Sequence, residues 1–268
     1  MSNATEPSLS IAFARRRELR MQVVCVSLGV IVLAGWSSWG TGFDIPQLIA
    51  GLPNIYDLAR RMLPPDLSVI RELIRPLVET LQMAVVGTVL AAGLALPLGI
   101  LAANNTSPHP LLAVTVRMCL NTLRTIPELV FALLLVSAVG LGTFPGVLAL
   151  TLHATGGLGK FFTEAIESVN PTVSEAIEAT GATRYQVIWF GVLPSALPLM
   201  MSSSLFYWEY NSRASTILGL VGAGGIGFTF TSAMQAFEYP KATSCLVLIV
   251  LILAMIDRIS AWLRARVI

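Results

Sequence analysis

Long apolar runs, broken by short polar segments, set the layout of the chain. Met21 to about Trp39 is the first run, and Pro76 to Ala103 the second. Leu111 to Leu123 is helical and moderately apolar, Pro127 kinks or restarts the helix, and a third span continues to about Leu141. Val147 to Ser168, Ala196 to Val221 and Ala242 to Leu263 complete the set. A bilayer core needs about 20 apolar residues in a helix, so the pattern predicts an all-α membrane protein with six transmembrane helices. Gly87, Gly93 and Gly99 in the second run offer close helix approach. Between the first two runs, Pro53 to Leu63 carries Ile55, Leu58, Ala59 and Met62 on one helical face and stops at Pro64-Pro65. That is the pattern of an amphipathic segment on the outer surface. The domain reading is a tail over residues 1–20, a first span plus external segment over 21–75, and a transmembrane core over 76–268.

Composition agrees. The chain has 268 residues, 55% hydrophobic and 12% charged, against roughly a quarter charged in a soluble domain. A formal charge of +2 without an interleaved basic and aromatic run points away from nucleic acid. Cys25, Cys119 and Cys245 sit in apolar stretches and read as small apolar residues. Arg15, Arg16, Arg17 and Arg20 precede the first span and should stay cytoplasmic; six spans then put both termini inside.

Asn170 to Pro198 is too polar to cross lipid. Asn170 can cap a helix, Pro171 fits its first position, and Gly181 can end it in a left-handed conformation. Val173, Ala176, Ile177 and Thr180 share one face; Ser174, Glu175 and Glu178 take the other. A second helical piece, Arg184 to Phe190, leads back to apolar sequence. Glu175-Ala176, Gly181 six residues after Glu175, and Leu193-Pro194 resemble the cytoplasmic coupling loop of ABC-importer permeases. Ile177 stands where that pattern has a second Ala, and Gly191 where it usually has Ile. The resemblance implies that Ser174, Glu175, Ala176, Glu178, Ala179, Gly181 and Arg184 dock on a separate ATPase subunit.

Ionisable groups inside a membrane are costly, so they are candidates for function. Glu209, Asn211, Arg213 and Ser215 make the densest set, and Glu209 and Arg213 can pair four apart. Such an arginine either locks helices together or meets an anion, to which it offers a planar fork of donors. Arg124 and Glu128 flank Pro127, and His153 lies in the fourth span; these complete the candidate substrate path. Lys160 with Glu164 reads as a structural pair. Two phosphate-binding patterns are decoys. Gly222 to Gly227 spells a dinucleotide fingerprint but follows no strand, and serves better as backbone for a bend or an anion path. Gly159-Lys160 lacks the flanking residues of a P-loop, since Ala154 and Phe161 stand where Gly and Ser or Thr are needed.

RTIPELVFALLLVSAVGLG, GVLALTLHATGGLGK and WEYNSRASTILGLVGAGGIGF resemble the permease subunit of bacterial phosphonate ABC importers. The resemblance implies a type I, methionine-permease-like core in the bacterial inner membrane, importing a phosphonate or related phosphorus oxyanion by alternating access. It also implies two cytoplasmic ATPase subunits, a second permease subunit that is identical or related, and an extracytoplasmic phosphonate-binding protein. No cofactor is expected in this chain; ATP and Mg would bind the partner ATPase. The competing class is a stand-alone secondary transporter or channel for a small anion. A paired nucleophile and base, or a metal cluster, that would mark an enzyme is not visible.

Overall fold

The computed structural model describes residues 6–42 and 44–267, with side chains from 21 to 266. The arginine cluster from Arg15 to Arg20 falls outside the residues whose side chains are described. Among the described residues every regular element is helical. Contacts divide the chain into two units, Met1–Ala59 and Arg60–Ile268.

The first unit holds α1 (Glu6–Thr41) and most of α2 (Ile45–Met62). One helix therefore runs from the polar tail through the first apolar run. None of its residues from Met21 to Thr41 is buried. The amphipathic segment begins eight residues before Pro53, which sits inside α2. A proline there forfeits one backbone hydrogen bond without ending the helix.

The second unit contains α3 (Ile70–Ala102), α4 (Pro110–Thr125), α5 (Glu128–Val139), α6 (Thr143–Glu167), α7 (Pro171–Glu178), α8 (Arg184–Val187), α9 (Leu193–Leu218), α10 (Gly225–Gln235) and α11 (Tyr239–Val267). α6 is the hub: it packs on α3, α4, α5 and α9, while α10 and α11 close over α3 and α9. The α3–α6 seam is lined by small residues, with Ala84, Ala91, Ala95 and Ala102 fully buried. A Cβ on Gly87 would come within 3.0 Å of Leu150, and one on Gly99 within 2.9 Å of Phe162. Gly93 is different: nothing lies within 4 Å of its would-be side chain, so it does not serve helix approach.

Four helical stretches are long and apolar enough to cross a membrane: Met21–Thr41, Ile70–Ala102, Arg184–Gln235 and Tyr239–Arg266. α4 and α5, bent by 83° at Ile126-Pro127, would make a fifth. The expected fourth span is α6, which is long enough but more polar than those. Its surroundings explain this. Neighbouring helices enclose most of it where lipid would otherwise lie, so its Gly, Thr and His153 are tolerated.

The stretch 222–240 is a turn and then a helix, α10, before α11 begins. Gly222, Gly224 and Gly225 all have positive φ, and the Ile226 N–H donates to Thr80 Oγ1 at 2.9 Å. Before α3, Asp66 accepts from the Ser68 N–H at 2.9 Å and its hydroxyl at 2.6 Å. These bonds hold its carboxyl below the ordinary aspartate range. The Asp66 carbonyl also accepts from Ser244 Oγ at 2.7 Å, tying this turn to the start of α11.

Candidate functional site

The polar stretch after α6 forms as its end signals require. Asn170 Oδ1 accepts from the Thr172 N–H at 3.0 Å, Pro171 opens α7, and Gly181, at φ +83°, follows its last turn. Val173 and Ile177 turn inward and are half-buried, as is Ser174. Glu175, Ala176, Glu178, Ala179 and Gly181 are exposed. Two positions differ from the amphipathic reading. Ala176 sits at the edge of the inner stripe, and Thr180 lies beyond the helix end, so both face outward.

The inner stripe meets Gly191. A Cβ there would lie 2.6 Å from Ile177 Cδ1 and 3.6 Å from Val173 Cγ1. The two departures from the coupling-loop pattern, Ile177 and Gly191, are thus one contact: the larger residue on α7 fills the space that the glycine vacates. Gly191 lies in a π-helical turn, Ile188–Val192, that joins α8 to α9.

The segment is braced from the other side. Arg184 Nη2 donates to the Ser107 carbonyl. Glu167 Oε1 accepts from Arg117 Nη2 and from the Asn104 N–H, the latter at 2.8 Å. Asn105 Nδ2 donates to the Ile166 carbonyl at 2.8 Å, and Arg117 Nε to the Ala102 carbonyl at 2.7 Å. α7 and α8 therefore stand on a hydrogen-bonded base made by the ends of α3 and α6.

From that base a polar stripe climbs α6. Glu167, Glu164, Lys160, Gly157 and His153 recur at helical intervals and share one face. Opposite them Arg117, Asn121 and Arg124 line one face of α4. Between the helices lies a cavity of about 150 Å³ lined by Arg117, Asn121, Lys160, Thr163, Glu164 and Glu167. Lys160 Nζ is 3.4 Å from Glu164, and Arg124 Nε donates to Asn121 Oδ1 at 3.0 Å. The Gly156-Gly157-x-Gly159 run is a packing notch. A Cβ on Gly156 would lie 2.5 Å from the Arg124 backbone nitrogen, one on Gly159 2.4 Å from Leu120, and one on Gly157 1.6 Å from the Tyr207 hydroxyl. The apparent phosphate motif is thus used to bring α4 and α9 against α6.

At the top of the stripe Glu128 opens α5, where the helix dipole favours its charge. Its Oε1 accepts from Tyr210 OH at 3.1 Å, and its Oε2 lies 3.6 Å from His153 Nε2. His153 Nδ1 is 3.0 Å from the Ile126 carbonyl, which can only accept, so that nitrogen carries a proton. The His153 and Tyr210 rings stack at 5.9 Å, and Tyr210, Tyr207, Phe206 and Phe161 continue as a chain of ring contacts.

The remaining candidates lie on other sides of α9. Glu209 and Arg213 pair as their spacing predicts, but within a larger network with α11. Arg213 also binds Asp257 at 2.9 Å, and Glu209 also binds Arg264 at 3.0 Å. Asn211 and Ser215 are fully buried. Asn211 Nδ2 donates to Thr88 Oγ1 of α3 at 2.9 Å, and Ser215 Oγ to the Ser212 carbonyl at 2.9 Å. The structure thus brings Glu128 and His153 together, with Arg124 lower on the same side. It sets Glu209 and Arg213 apart from them, and encloses Asn211 and Ser215. Asp257, Arg264, Tyr207, Tyr210 and Asn121 were not singled out from sequence. Asp257 and Arg264, two turns apart on one helix, were the readable signal; the tyrosines had none.

Residues 95–268 match the family model described as binding-protein-dependent transport system inner membrane component. The phosphite transport system permease protein PtxC of Stutzerimonas stutzeri is 44% identical over 241 residues, covering 90% of this chain and 87% of that one. The phosphate-import permease protein PhnE of Mycolicibacterium smegmatis is 40% identical over 85% of this chain and 43% of its own length. Among solved structures, a chain of the MetNI methionine ABC transporter in an inward-facing conformation superposes with TM-score 0.66. It is 23% identical and is covered over 76% of this chain and 99% of that one. That likeness is one of fold.

Proposed function

The chain belongs to the binding-protein-dependent transport system inner membrane component family, and on that premise we propose that it carries a phosphorus oxyanion (phosphite, phosphonate or phosphate) into the cytoplasm of a bacterium. It is a permease subunit of an ABC importer in the inner membrane, not an enzyme, and it works with an ATPase and a solute-binding protein. Two ATPase subunits, each holding ATP and Mg, and a second permease subunit complete the machine. The binding protein is extracytoplasmic and takes phosphonate-like anions. Both termini of the permease lie in the cytoplasm.

In this reading Glu175, Ala176, Glu178, Ala179 and Gly181 form the edge that the ATPase grips. Ser174 and Arg184 hold that edge to the permease. Movement of α7 passes through the base at Ser107 and Glu167 to α4 and α6. The cargo follows the α6 stripe. Arg124 and Lys160 attract the anion; Glu128, Glu164 and Glu167 keep it from binding too firmly to leave. His153 and Tyr210 close the upper end. Glu209 and Arg213 form a charged wall beside this route. Asn211 and Ser215 reach it only in a state where α9 has moved off α3.

The observation that carries the cargo reading is the likeness to the phosphite permease along nearly the whole chain. The test is reconstitution of the chain with its ATPase and binding protein in lipid vesicles. ATP-dependent uptake of labelled phosphite, methylphosphonate or phosphate, with mutual competition, is the expected result. Uptake that proceeds without ATP, or that prefers sulfate, overturns the proposal and favours a stand-alone anion transporter.

A further inference from the structure

A second cavity, of about 250 Å³, opens beside the coupling segment, and apart from its Arg184 the transport reading makes no use of it. Leu101 at the end of α3, Pro108, Arg184, Tyr185, Ile188 and Trp189 line it. Its walls combine three chemistries. Leu101 and Ile188 give an apolar floor. Tyr185 and Trp189, one helical turn apart, stand 79% and 60% exposed at the rim, and Phe190 beside them is 75% exposed. Arg184 supplies a cation. Among the described residues no carboxylate pairs with it, and its one hydrogen bond goes to a backbone carbonyl.

The place matters as much as the lining. The cavity sits where α3 leaves its apolar run and where α8 turns through the π-helical stretch into α9. Exposed Trp and Tyr at such a junction match the belt that aromatic side chains form at the membrane–water interface. An unpaired arginine at the same level favours an anionic headgroup phosphate, to which its free N–H groups can donate as a fork. An apolar floor below that charge accepts an acyl chain.

We propose that this cavity binds an anionic phospholipid of the inner leaflet, with the headgroup phosphate on Arg184 and the first part of a chain on Leu101 and Ile188. The lipid then stands against the segment that the ATPase moves. Bilayer composition should therefore influence how well ATP hydrolysis is coupled to uptake.

The test uses the assembled transporter in nanodiscs. Phosphatidylglycerol or phosphatidylcholine with brominated acyl chains is titrated in while tryptophan fluorescence is followed. The Trp189→Phe variant subtracts the other tryptophans. The expected result is severalfold stronger quenching of Trp189 by the glycerol lipid than by the choline lipid. That preference is lost in Arg184→Gln and kept in Arg184→Lys. If Arg184→Gln fails to assemble, Leu101→Phe, which fills the floor, leaves the charge and adds no tryptophan signal, should also abolish the preference. Equal quenching by both lipids overturns the proposal, as does a preference that survives both substitutions. Displacement by millimolar inorganic phosphate would assign the site to a free anion instead. Loss of the ATPase in Arg184→Gln, with lipid preference unchanged, would make Arg184 a docking residue only.

Discussion

One side of α9 faces α11 with Glu209 and Arg213; another, one residue on, faces α5 and α6 with Tyr210. The first side is a closed account of charge. Two carboxylates and two guanidiniums, Glu209, Asp257, Arg213 and Arg264, meet one another at hydrogen-bonding distance. The second is open. His153 lies 3.6 Å from Glu128, Lys160 and Glu164 are about half exposed, and the polar groups are strung along α6 instead of gathered. Four charges that share partners hold helices together even with Arg213 and Asp257 each 46% exposed, whereas a line of singly paired groups suits a charge that must pass. Both sides satisfy the rule that a buried ionisable group marks function, so the rule alone does not rank them.

The largest effect should come from the closed side. Glu209 is 12% exposed and shared by two arginines. Glu209→Ala leaves Arg264 without its partner and Arg213 with Asp257 alone; with Arg213 46% exposed, the expected loss is about 2–4 kcal/mol, below that of a fully buried pair. Thermal unfolding of the purified permease in detergent reads it. A variant that unfolds normally but fails to transport would move this network from scaffold to path. Next is the coupling segment, as a control outside both. Gly191→Ile should cost about 1–3 kcal/mol through the clash with Ile177. Ile177→Ala in the same chain should restore most of it, which a double-mutant cycle of unfolding midpoints would show. Absence of any coupling would mean that the two positions do not share a space.

On the open side the expectation reverses. Glu128→Gln and Tyr210→Phe should each change stability by about 1 kcal/mol or less, while uptake in vesicles falls severalfold. A large stability loss with unchanged uptake would erase the distinction between the two sides. The smallest effect lies away from both. Asp66 titrates below its unfolded value, so its contribution is complete above about pH 4 and fades as pH falls through the lowered folded value. Asp66→Asn should therefore lower the unfolding midpoint slightly at pH 7, and by less as the pH falls below about 4. The group is open to solvent, so a pronounced shift would show that the turn beneath α11 matters more than its exposure suggests.

The membrane class was readable because apolar runs of bilayer length have few other uses. The capped helix at Asn170 was readable for a local reason: Asn, Pro and Gly act within one or two turns. What sequence reading missed was tertiary. Gly93 resembled Gly87 and Gly99 along the chain, yet only the other two face α6. Gly159-Lys160 resembled part of a phosphate motif because glycine serves close approach to phosphate and to a helix equally well. Asn211 reads from sequence as a path residue; its bond to Thr88, 123 positions away, could not be read there. α10 was hidden because the positive-φ glycines Gly222, Gly224 and Gly225 lead into it, and such a run reads as a bend. Arg213 was paired correctly with Glu209, but nothing near it in sequence indicated Asp257.

Gly156 and Gly157 are consecutive, yet they turn toward different helices, one to α4 and the other to α9. At that level the central rod is stripped to its main chain on two sides. On one side the α4 main chain at Leu120 and Arg124 meets it directly, and on the other the stiff Tyr207 ring of α9 fills the gap, so neither contact offers a flexible side chain to absorb a shift. A tug on one end of either partner should therefore reach the other as a near-rigid displacement, as teeth on one gear transmit motion to the next.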